Sequence, residues 1–257
     1  MNLRTSCFNS AVFRSDVKRL WWVPALHTLS IFLLCLLPFY IDYHEAIGLF
    51  GGASEQYINS ALFQCSPVPY IILGILTVGI SVLLFSYLNS KSAVATMHTV
   101  PVQRKTLYIT HIVFGLIALI IPILINGGIL VIMRSNPNIA QVISMSHIGA
   151  WIATQIAYAV VGFAFSALIG MFTGNSVAHL VFTYIFTVLP FLVEAGLKYI
   201  MYLNLYGYVM NDTNMAVTKY LYFSIGKLTE PTWFLLYMAY ALVFFFIGYL
   251  IYKIRKI

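Results

Sequence analysis

Glu194 and Lys198 are the charged pair whose spacing could do chemistry inside an apolar stretch. Four residues apart, they share one face of a helix, and Glu before Lys is the order that favours an ion pair. Ionisable side chains within a membrane mark functional sites by default. Both residues, however, fall in the last turns of their run, where Lys can snorkel and Glu can meet water, so a structural or interfacial role outweighs a functional one. The catalytic patterns are missing. The chain contains no Gly-x-Ser-x-Gly, no His-Glu-x-x-His and no paired carboxylates that could share a proton or hold a metal. It also lacks a Gly-x-x-x-x-Gly-Lys-Ser/Thr phosphate loop, so we expect no enzyme activity, cofactor or metal in this chain, and any energy source lies elsewhere.

The remaining polar and small residues read as packing devices. Cys7, Cys35 and Cys65 have neither zinc spacing nor the pattern of a disulfide framework. His111, His147 and His179 lie near the ends of apolar runs and are far apart in sequence, which fits interfacial residues better than a metal site. Gly162, Ser166 and Gly170 recur every fourth residue, a stripe that lets a neighbouring helix approach closely. Spacing does not say whether that neighbour belongs to this chain or to another. Asn126, followed by Gly127 and Gly128, and Gln155 add polar atoms that can bond between helices or line a path, helix-to-helix bonding being the commoner role.

The elements that position these residues follow from composition. Hydrophobic residues make up 61% of the 257, charged ones 8%, and the mean hydropathy is +0.91, outside the balance of a soluble domain. Apolar runs at about 21–41, 69–88, 107–133, 147–172, 176–203 and 232–252 are each long enough to cross a hydrocarbon core of roughly 30 Å. They are continuously apolar rather than alternating, which favours helices over barrel strands. The expected fold is all-α, a polytopic membrane protein in which residues 1–257 form a single transmembrane domain with six spans. The first run is too long for a signal core and no small-residue cleavage site follows it, so it is expected to remain as a span.

Basic residues near span ends are retained on the cytoplasmic side. Arg4, Arg14, Lys18 and Arg19 precede the first span, Lys91, Arg104 and Lys105 follow the second, and Lys253, Arg255 and Lys256 end the chain. The first connection has Asp42, Glu45 and Glu55 with no Lys or Arg, as an outside loop should. Six spans with both termini cytoplasmic satisfy all four observations. The fifth connection, 204–231, then lies outside; its Lys219 and Lys227 are offset by Asp212 and Glu230. The net charge of +7 is mostly this orientation signal, with some attraction to anionic lipid headgroups, and does not point to nucleic acid.

Residues 8–20 carry Val12, Phe13, Val17 and Leu20 at helical spacing with Arg14, Lys18 and Arg19 elsewhere on the wheel. This predicts an amphipathic helix in the cytoplasmic interface, with Trp21 and Trp22 at the headgroup level. The connection 89–106 is a second amphipathic element. Ser90 or Ser92 can cap a short helix, Ala93, Val94, Met97 and Val100 give it an apolar face, and Pro101 discourages its continuation. That face needs a cover, either headgroups or a cytoplasmic partner that accepts a helix in a groove; on the residues alone, an ordinary interfacial loop with a basic topogenic end is the stronger reading.

The run from Met97 through His98, Thr99, Val100, Pro101, Val102, Gln103, Arg104, Lys105 and Thr106 to Leu107 resembles the His-x-Leu/Val-Pro-Ile/Val-x-Arg segment after the second span of many ABC-2-type transporter permeases of Gram-positive bacteria. The similarity includes position: such permeases begin with an interfacial helix, cross six times with both ends inside, and often finish on Tyr and basic residues, as do Tyr249, Tyr252, Lys253, Arg255 and Lys256 here. Some permeases of this type continue into further domains, whereas this chain ends soon after its sixth run.

The resemblance implies a multi-pass subunit of a bacterial plasma membrane that pairs with a second permease, identical or paralogous, and with two ATP-binding subunits that hold ATP and Mg. It also implies that Ser92, Val94, Met97, His98, Val100 and Pro101 form a coupling helix docked on the ATP-binding subunit. Arg104 and Lys105 would face acidic groups or phosphates. Family members with this segment are associated with export, antimicrobial peptide resistance and envelope stress, which implies a hydrophobic or amphipathic cargo. The alternative function is a membrane sensor or scaffold that holds a signalling partner on the same helix and moves nothing.

Overall fold

The computed structural model describes residues 8–50, 68–89, 103–141, 143–205 and 231–254. The chain folds as helices: among the described residues there is no strand, and six helices are long and apolar enough to cross a membrane. The all-α, six-span expectation holds.

An amphipathic helix α1 (Ser10–Leu20) comes first. Asn9 caps it, its side chain accepting from the N–H groups of Ala11 and Val12 at 2.9 and 3.2 Å. After a single turn residue, Trp21, the first span begins as α2 (Trp22–Ile31), widens into a π turn at Phe32–Leu36 and continues as α3 (Leu37–Phe50). The N–H of Leu37 reaches the carbonyl of Phe32, five residues back. Pro38 accounts for the widening: it has no N–H for the Leu34 carbonyl and its ring crowds that group.

The second span is α4 (Val68–Phe85), closed by a 3-10 turn at Ser86–Asn89. The third, α5 (Arg104–Met133), is joined to the fourth through a short helix α6 (Pro137–Ala140). Arg134 secures that joint, its Nε donating to the Ile143 carbonyl at 2.9 Å. The fourth span, α7 (Met145–Phe172), starts on a Ser144–His147 capping box. A tight turn capped by Asn175 leads into the fifth, α8 (Ser176–Asn204), and α9 (Pro231–Ile254) is the sixth.

The fourth span is the centre of the bundle. It packs against the second, third, fifth and sixth spans, and 67% of its apolar window is buried, against 12% for the fifth and 17% for the sixth. Two close approaches show why the third span carries glycine where it meets the fourth. At Gly115 a Cβ would collide with the ring of Phe163, which is fully buried and has no room to yield. At Gly127 a Cβ would come within 2.5 Å of Ile152. The fifth and sixth spans leave long apolar faces outside the core, including Phe182, Phe186, Leu235 and Phe246.

Candidate functional site

Ser92, Val94, Met97, His98, Val100 and Pro101 lie outside the described residues. The two ends from which that segment leaves are described, and they are built into a buried polar and aromatic junction. Arg104 and Lys105 form the exposed first turn of α5. About two turns further on, His111 is fully buried and its Nδ1–H donates to Asp16 Oδ2 of α1 at 2.7 Å, the proton lying on nitrogen because a carboxylate only accepts. Asp16 also faces Arg19 at 3.8 Å, and Arg19 donates to the Leu83 carbonyl of the second span at 3.0 Å. The backbone N–H of Asn9 adds a bond to Thr110 Oγ1 at 3.2 Å. Phe13 meets Phe114 edge-on at 5.8 Å.

The far side of His111 is lined by Phe85 and Tyr87, with ring centroids at 6.0 and 5.4 Å. The hydroxyls of Tyr87 and Tyr252 are 3.0 Å apart, Tyr108 stacks on Tyr252 at 5.6 Å, and the Tyr108 hydroxyl donates to the Phe245 carbonyl at 3.0 Å. Asn89, the last described residue before the segment, donates to Ser176 Oγ of the fifth span at 2.9 Å. The junction therefore joins α1 to the ends of the second, third, fifth and sixth spans. Its rim is basic, with Arg14, Lys18, Arg19, Arg104, Lys105 and Lys253 all exposed.

Several sequence expectations are corrected here. His111 and His179 are buried rather than interfacial, although His179 does lie in the first turn of α8; His147 sits at a span end, inside its capping box. The helix at 8–20 buries Asp16, and Val17, assigned to its apolar face, is 39% exposed. Sequence reasoning missed Asp16, which it assigned to neither face of this helix. The available signal was that Asp16 falls one turn before Leu20 and one turn after Val12 and Phe13, on their side of the helix.

The Gly162, Ser166 and Gly170 stripe is filled by this chain's own helices. A Cβ on Gly162 would touch Thr77 Oγ1 of the second span at 3.3 Å, and one on Gly170 would meet the ring of His179 at 2.5 Å. His179 Nε2 lies 2.8 Å from the Ser166 carbonyl and 3.2 Å from Ser166 Oγ, with Ser81 Oγ at 3.5 Å. The carbonyl can only accept, so Nε2 carries the proton and has no lone pair to activate the serine as a general base would. The arrangement locks helices together.

Asn126 also bonds between helices, donating to the Thr28 carbonyl of the first span at 3.2 Å. The Glu194 side chain lies outside the described residues, and Lys198 is half-buried on α8. Among the described residues no three His, Cys, Asp or Glu side chains converge as a metal site would require. Comparison with protein-family models, with curated proteins and with solved structures finds no match.

Proposed function

We propose that this chain is the membrane subunit of an ATP-binding cassette transporter of the ABC-2 type, driven by ATP-binding subunits docked on its segment 92–101. The observation that carries the reading is the junction. A short segment that must transmit force needs both ends anchored to the elements that move, and Asn89 and Arg104 open directly onto contacts with α1 and four spans. The exposed basic rim suits an acidic or phosphate-bearing partner surface, and the resemblance around His98 and Pro101 names the partner class.

In this reading ATP binding draws two cytoplasmic subunits together and the segment around Met97 moves with them. The first, second and fifth spans then shift against a second permease to open or close a path. The cargo class is hydrophobic or amphipathic, an antimicrobial peptide or an envelope compound, and the membrane is a bacterial plasma membrane.

The joint is the place to test it. Val94→Asp with Met97→Asp is expected to abolish copurification of a nucleotide-binding subunit, or to uncouple ATP hydrolysis from transport, while membrane insertion stays normal. Unchanged assembly and transport would sink the assignment. Recovery of a stoichiometric kinase or protease in place of an ATPase would support the sensor or scaffold alternative.

A further inference from the structure

The middle of the bundle contains a second polar feature, unrelated to the junction. His27, on the first span, is 1% exposed, and among the described residues neither of its ring nitrogens has a hydrogen-bond partner. A neutral imidazole has one N–H to give and one lone pair to receive, so both needs are unmet inside an apolar bundle. The ring borders a cavity of about 10 Å³ whose wall includes Ser30, Leu34 and Cys35 of the first span, Leu73 of the second and Gln155 of the fourth. Gln155 is itself 3% exposed.

We propose that this cavity is a single-water site, in which one water molecule bridges the His27 imidazole and the Gln155 amide. Size selects the occupant. The volume is about that of one water-sized sphere, too small for an organic molecule or a hydrated ion. Chemistry selects it as well: the occupant must both donate and accept, since His27 offers one of each and an amide offers both. Ser30 Oγ spends its proton on the Leu26 carbonyl at 2.8 Å and keeps lone pairs for a third bond. A water with two to four polar partners is the usual tenant of such a space.

The neighbouring helices hold the bridge at one level. Asn126 grips the carbonyl of Thr28, next to His27, and Gly127 lies against Ile152, one turn from Gln155. The cavity also coincides with the π turn, because Leu34 and Cys35 belong to both. Pro38 leaves the Leu34 carbonyl without its usual donor, and bound water is one way in which proline-interrupted helices in lipid satisfy freed backbone groups. The site thus joins the first span to the fourth at the one place where the first span departs from α-helical geometry among its described residues. A water-mediated contact can lengthen and re-form as two helices slide, which suits a joint that moves.

The experiment uses the full chain in lipid bilayers with ¹⁵N-labelled histidine and water-edited solid-state NMR, the His27→Phe variant assigning the ring signals. His27 should receive water magnetisation early although it is buried. His179, equally buried and with its Nε2–H taken by the Ser166 carbonyl, is the internal reference. In parallel, His27→Phe and Gln155→Leu should each raise the unfolding constant in mixed micelles about tenfold, and the double variant no more than about tenfold, because both singles strand the same water. Early transfer with non-additive losses supports the site. Transfer to His27 no faster than to His179 overturns it, even with coupled losses, since that combination means a direct His27–Gln155 bond. Additive losses, about a hundredfold in the double variant, overturn it too.

Discussion

The Asp16–His111 hydrogen bond ties α1 to the third span through two buried side chains. Both side chains are buried, so deleting one strands the other in an apolar setting. Asp16→Ala should destabilise the folded chain by about 1–3 kcal/mol, read from unfolding in mixed micelles. Asp16→Asn keeps an oxygen that can accept from His111 Nδ1–H and should lose clearly less. If the junction transmits force, Asp16→Ala also lowers transport per assembled complex. A normal transport rate with normal assembly would make α1 a passive anchor. These two residues are 95 apart in sequence, and neither belongs to a pattern that pairs them; the apolar spacing around Asp16 was legible, its partner was not.

Helix packing decides the next scale. Where backbones approach closely, a single methyl group changes the balance, and the third span offers a matched pair of glycines to show it. Gly115→Ala places a methyl into the Phe163 ring and should destabilise by about 1–3 kcal/mol through overpacking. At Gly128 nothing lies within 4 Å of the new methyl, so Gly128→Ala should be neutral or stabilise by up to about 1 kcal/mol, as expected for removing a helical glycine. Thermal unfolding of the two variants in the same detergent decides it, and equal effects would contradict the packing described here. The stripe at Gly162, Ser166 and Gly170 announced a close approach in the sequence. That Thr77 and His179 of this chain fill it depends on how three helices are rotated about their axes. A periodic pattern marks a face and leaves its occupant open.

For the whole molecule, orientation is the quantity that the charges predict. With Cys7, Cys35 and Cys65 replaced, Ser135→Cys, at the end of the third span, should react with a membrane-impermeant maleimide on intact cells. Ser10→Cys and Lys253→Cys should react only after permeabilisation. The opposite pattern would place the basic rim outside and remove the ATP-driven reading with it.

The six spans were legible because hydropathy and helical length are local properties, and continuous apolar runs leave the backbone no other way to satisfy itself in lipid. Most span boundaries agree to within a few residues, the third run at about 107–133 being observed as Arg104–Met133, whereas the helix of the first run, expected to end near 41, continues to Phe50. Which span forms the core was not legible. Apolar residues that face lipid and apolar residues that face protein are chemically alike, so the nearly bare fifth span and the enclosed fourth read the same in composition. Local chemistry alone determined the helices, their number and the charges at their ends. Only the tertiary structure decided that the fourth span is central, that Asp16 meets His111 and that His27 faces a cavity. Each of these is set by the relative rotation and depth of separate helices, which no single stretch of chain encodes.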